Sequence, residues 1–171
     1  MRGVKRITNV IRNGVPLAGV NFGAVVDDPG DINDDASIWA NSQLTPVGVT
    51  RIDPQLKLRV GDEVEYTVYF LVDGNESISN ARFCDPIPQG TSFISNSGSD
   101  ITLNIANTIT NLTNIADADR ASLVNAVAPL PANNVCPNQS NPTGAVLVNF
   151  GTLDSTPGNN FGYTRFRVRV D

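Results

Sequence analysis

The chain has no histidine, one tryptophan, one methionine, two cysteines and two lysines among 171 residues. Without histidine, Ser-His-Asp and Cys-His catalysis and a His-ligated zinc site are excluded, and two cysteines fall short of the four that an all-thiolate zinc site needs. No run of about 18 apolar residues occurs, so no helical membrane span is expected. Basic residues are scarce as well. Twelve Lys and Arg against 17 Asp and Glu give a net charge of −5, which argues against an electrostatic nucleic-acid footprint. No Gly-rich phosphate loop precedes a helical pattern. The carboxylate pairs Glu63/Glu65 and Asp117/Asp119 are the one remaining route to acid–base chemistry, and the first reads more simply as the solvated face of a strand. The expectation is a protein that is not an enzyme.

Turn-forming residues are plentiful instead: 14 Gly, 11 Pro and Asn throughout. Long helical periodicity is scarce, so the expected class is all-β, and the length suits one sizeable domain. The organising stretch is Val60 to Pro88. From Val64 the side chains alternate, with Val64, Tyr66, Val68, Phe70 and Val72 on one parity and Glu63, Glu65 and Thr67 on the other, as a half-buried strand requires. Asp73-Gly74-Asn75 suits a reversal, and a second strand then offers Ala81 and Phe83 before stopping at Asp85-Pro86-Ile87-Pro88. The stretch therefore reads as a hairpin.

Before it, Val4 to Arg12 and Ala18 to Val26 are β-rich around an Asn13-Gly14 turn, but their apolar residues fall on both parities, as in a strand covered on both faces or by a partner. Pro46 to Leu58 reads as an edge strand interrupted by Pro54. After it, Ile101 to Ile105 and Asn107 to Leu112 form a hairpin pattern. Residues 116–126 have the one helical composition, with their acids early, where the helix dipole favours them.

Cys84 lies on the parity opposite Phe83, and Cys136 lies in a Pro- and Asn-rich loop. A Cys84–Cys136 bridge, the alternative being two unpaired thiols, would fit an oxidising compartment and stabilise by on the order of 3–4 kcal/mol. The densest acidic run spans residues 26–35. Asp31-x-Asn33-x-Asp35 has the oxygen spacing that opens a calcium loop, yet Ala36 and Ser42 stand where an EF-hand needs Gly and Glu. That leaves a looser calcium site or, more simply, a solvated acidic turn. Trp39 follows at once and reads as an anchor folding this loop onto the body of the protein.

Gly61-Asp62, Val64-Glu65-Tyr66-Thr67-Val68, the Asp85-Pro86-Ile87-Pro88 exit and Thr91-Ser92-Phe93-Ile94-Ser95 together resemble a bacterial cell-surface repeat, the one catalogued as domain of unknown function eleven. Residues 144–153 and 163–170 are similar to that family's last strands, so the resemblance covers roughly residues 55 to 170. It implies an immunoglobulin-like Greek-key β-sandwich at residues 55–171, and the chain departs from the usual repeat by an insertion at 96–143, carrying the short helix, and an N-terminal extension at 1–54. No catalytic activity and no cofactor attach to the family. Surface sandwiches of this kind resemble domains that crosslink a core Lys to an Asn beside a buried acid. Here Lys57, with Lys5 the only other lysine, Asn149, and Asp85 or Glu65 are the candidates, weighed against two solvated lysines. The functional expectation is an extracellular or cell-surface structural protein, a homo-oligomer or filament subunit. Its copies would be joined by strand addition through Val4, Ile7, Val10 and Ile11. The alternative is a monomeric binding module recognising calcium or glycan through the acidic loop and the insertion.

Overall fold

The final strand shows most simply how the sequence makes the fold. In Phe161–Val170, Phe166 and Val168 are buried while Arg165, Arg167 and Arg169 alternate with them toward water. A computed structural model of the chain describes residues 1–25, 27–40, 42–95, 99–124 and 143–171. Its elements in chain order are β1 (Arg2–Arg12), β2 (Val15–Pro16), α1 (Ala36–Trp39), β3 (Glu63–Leu71), β4 (Ile78–Pro86) and β5 (Thr91–Phe93). They continue with β6 (Ile101–Ile105), β7 (Thr108–Leu112), β8 (Ala121–Val124), β9 (Ala145–Leu153) and β10 (Phe161–Val170).

The strands form an all-β sandwich of two antiparallel sheets, accompanied by one short helix. The larger sheet runs β2-β1-β3-β10-β6-β7, with β5 also pairing β10, and the smaller runs β4-β9-β8. Between them lies the main core, built from Val10, Val64, Phe70, Ile101, Leu103 and Phe166 on one side and Ala81, Val146, Val148 and Phe150 on the other. Phe70 and Phe150 meet across the layers at 4.8 Å between ring centroids.

The Val60–Pro88 hairpin is not formed. β3 is flanked by β1 and β10, so neither edge is free for β4, which pairs β9 in the opposite sheet. The turn at residues 73–75 carries the chain across the sandwich. Of the other expected reversals, the hairpin at 101–112 is present, and the Asn13-Gly14 turn forms with a different second strand. Asn13 (φ 52°) and Gly14 (φ 78°) join β1 to β2, and Ala106 (φ 47°) and Asn107 (φ 65°) join β6 to β7, the positive φ pairs that suit two-residue turns. Residues 18–25 of the strand expected at 18–26 form no strand, β2 at Val15–Pro16 pairing β1 in its place, and of that at 46–58 only a bridge between Val49 and Ile7 is found.

The expected helix in the insertion is replaced by turns followed by β8. There the early acids cap turns: Asp119 accepts from the Ala121 and Thr113 amides at 2.7 Å each, and Asp117 accepts from the Asp119 amide at 2.7 Å. Ala121–Val124 instead adds to β9. The one short helix, α1, stands in the N-terminal segment.

A bulge explains the mixed parity of β1. Thr8 is an extra residue between the Ile7↔Tyr66 and Asn9↔Glu65 pairs. It rephases the strand, so Ile7 and Val10 both face the main core despite their odd spacing. Val4, before the bulge, faces outward, where α1 and the loop after it cover the larger sheet. Val4, Trp39, Tyr69, Leu71 and Phe161 make a second core there. The N-terminal segment thus joins the sandwich of its own chain through β1, β2 and the Val49 bridge. Gly48 lets the covering loop reach β1: its φ is +117°, and a Cβ there would lie 2.7 Å from the Ile7 carbonyl oxygen.

Candidate functional site

Three groups of polar side chains stand out against this frame. The first is a ladder on the outer face of the larger sheet. Arg167 faces Glu65 and Arg169 faces Glu63 across β10 and β3, with ion-pair distances of 3.2 and 3.5 Å. Glu65 also accepts from the Thr8 hydroxyl at 2.8 Å, and Arg165 Nε donates to Thr67 at 2.9 Å. The Glu63/Glu65 pair is thereby matched to arginines one strand away, an arrangement that favours cross-strand pairing.

The second group lies between the sheets. Asp85 shares the inward parity of Ala81 and Phe83, and Lys5 on β1 reaches it from the opposite layer, with Nζ 2.8 Å from Oδ1 and 2.7 Å from Oδ2. The Lys5 ammonium also sits 4.5 Å from the Tyr66 ring centroid and 5.8 Å from that of Phe166. Burial pushes the Asp85 carboxyl above the usual carboxylate range, and the charge and hydrogen bond of Lys5 offset only part of that. Burial, with the Asp85 charge beside it, likewise raises Tyr66. The lysine that meets the buried acid is therefore Lys5. Lys57 stands exposed in a turn (φ 31°), where its carbonyl accepts from Arg12 at 2.9 Å. Asn149 is exposed on the outer face of β9, its Oδ1 accepting from the Gly151 amide at 3.0 Å. Lys57, Asn149 and Asp85 are not brought together, and Glu65 lies on the other face of its sheet. Among the described residues no asparagine hydrogen-bonds to Lys5 or Asp85. What Lys5 and Asp85 form is an ionic clamp from the first strand to the opposing sheet.

The third group is the acidic loop. Asp31 turns its Oδ1 back onto Asn33, accepting from the backbone N at 3.0 Å and from Nδ2 at 2.7 Å. The carboxylates that converge are Asp27, Asp34 and Asp35. Asp34 is buried and paired with the Arg6 guanidinium, itself 4% exposed. Trp39 anchors the loop as expected: it is 1% exposed, and its Nε1 donates to the Asn33 carbonyl at 2.7 Å. Neither Arg6 nor Asp34 stood out in the sequence. The signal available was an arginine inside a β-rich stretch.

Of the residues expected at a subunit contact, Val4, Ile7 and Val10 are buried within their own chain, and Ile11 pairs Glu63 of β3. Cys84, half-buried on the outer face of β4, packs with Ala145, Val124 and Leu147; Cys136 lies outside the described residues. No helix among the described residues is long and apolar enough to cross a membrane. Comparison of the chain with family models, curated proteins and solved structures returned no match.

Proposed function

We propose that the protein is a non-catalytic structural module of an extracellular or cell-surface assembly, and that its copies meet edge to edge through β7. The observation that carries this reading is the condition of the sheet edges. β1 is closed by its own chain: Ile7 exchanges backbone hydrogen bonds of 2.9 and 3.0 Å with Val49, and the Leu17 amide donates to the Val10 carbonyl at 2.8 Å. Donating this strand to a neighbour would open the sandwich. β4 is blunted by irregular pairing at Ala81 and by Asn80 in the left-handed region (φ 54°).

Among the described residues β7 has no such protection. Its sequence Thr-Ile-Thr-Asn-Leu contains no charge and no proline, it pairs β6 without a register shift, and Ile109 is 61% exposed. Natural proteins blunt their edges against strand pairing, so an edge left plain serves as a template for it. Strand addition, expected through Val4 to Ile11, is thereby reassigned to β7. A β7–β7 contact across a two-fold axis makes a dimer, and β7 against a different edge makes a filament. The resemblance to a bacterial surface repeat supports the location. A Cys84–Cys136 bridge belongs to the same proposal and is tested by the mass of unreduced proteolytic fragments.

Sedimentation velocity over a concentration series tests the assembly. The native chain should associate reversibly and the Ile109→Lys chain should not, since a lysine on the edge repels its counterpart. A native chain that remains monomeric at every concentration would overturn the reading.

A further inference from the structure

The acidic loop holds a feature that edge association leaves unused. One carboxylate oxygen from each of Asp27, Asp34 and Asp35 lies within 4.8 Å of the other two. Asp34 is the exceptional member, because its side chain is 0% exposed. Its Oδ2 is held by the Arg6 Nη2 and by the Asp28 amide at 2.9 Å. Its Oδ1 is equally buried and accepts no hydrogen bond. Leaving a carboxylate oxygen buried without a partner is costly, and such an atom calls for a ligand that satisfies it.

The charge balance indicates which ligand. Three carboxylates against the single Arg6 guanidinium leave a net −2, matched by a divalent cation. The donor set is all oxygen, which suits a hard ion. Calcium–oxygen distances of about 2.4 Å place ligand oxygens at most about 4.8 Å apart, in keeping with the spacing here. Magnesium demands a near-ideal octahedron, whereas calcium accepts irregular ligands from a loop. We propose that Asp27, Asp34 and Asp35 form a binding site for a hard divalent cation of the calcium type. Asp34 Oδ1 is its innermost ligand, and Arg6 is the positioning residue that holds the other oxygen of Asp34. The bound ion fastens the acidic loop, and Trp39 with it, to the outer face of β1. This site is independent of the association at β7.

Trp39 provides the readout, being the only tryptophan in the chain and tied to this loop through Asn33. Protein stripped with EDTA is titrated with terbium under tryptophan excitation, then with calcium as competitor, and melted with and without calcium chloride. The expected results are saturable sensitised emission, its displacement by calcium, and a higher melting temperature with calcium. The Asp27→Asn/Asp35→Asn double variant removes two ligands that are not fully buried and keeps the Arg6–Asp34 pair, so it should fold and lose all three responses. Absence of saturable emission and of a melting shift in the folded native chain would overturn the proposal. So would responses that persist undiminished in the double variant, since the ion would then be bound elsewhere.

Discussion

Replacing Val10 by Ala tests whether the first strand belongs to its own sandwich. Val10 is 0% exposed and pairs directly with Val64, also 0% exposed, in the main core. The substitution removes two methyl groups, about 1.6 kcal/mol at about 0.8 kcal/mol each. Close packing around β1 and β3 prevents full collapse, and the residual cavity raises the cost to roughly 2–3 kcal/mol. For a chain of this length that corresponds to a fall in Tm of about 5–10 °C. Urea unfolding at several protein concentrations is the assay, with Val15→Ala as a control: Val15 is 64% exposed, and its loss should change stability by less than about 0.5 kcal/mol. The Val10→Ala loss should be the same at every concentration. A loss below about 0.5 kcal/mol, or one that varies with concentration as a strand lent between copies requires, would refute the reasoning.

Two further perturbations address other parts of the molecule. Asp85 binds its proton more tightly folded than unfolded, so its contribution to stability is fully present below about pH 3.9 and is lost as pH rises through its higher folded value. The Asp85→Asn chain lacks that loss. Its Tm relative to the native chain should therefore improve between pH 3 and pH 7, and a trend of opposite sign would mean that Lys5 outweighs burial. Gly48→Ala, which forces a Cβ against the Ile7 carbonyl at positive φ, should cost about 1–3 kcal/mol in urea unfolding. Gly74→Ala, with open space around it, should cost little; equal losses at the two positions would contradict the described approach of the loop to β1.

The sequence revealed what depends on near neighbours. Alternation in β3 placed its core face, and Asn13-Gly14 named its turn because only certain residues accept positive φ. The hairpin over residues 60–88 failed for the opposite reason. Nothing in Asp73-Gly74-Asn75 records that β1 and β10, the first and last strands, already occupy both flanks of β3. The bulge at Thr8 hid the alternation of β1 in the same way. At the polar sites the residue types were legible but the pairings were not. Asp85 as a buried acid follows from its parity with Ala81 and Phe83, whereas the choice of Lys5 over Lys57 depends on which strand the second layer places opposite. The acidic run was visible, but selecting Asp34 over Asp31 depended on Arg6, a residue 28 positions away.

The most direct single measurement is hydrogen exchange followed across a protein concentration series. The β1 amides that pair β3 should be protected at the lowest concentration and gain nothing on association, while the outward amides of β7 should become protected as copies meet. Fast exchange of β1 in the dilute protein, slowing as concentration rises while β7 stays unchanged, would contradict this account and return the first strand to the role of donor between subunits.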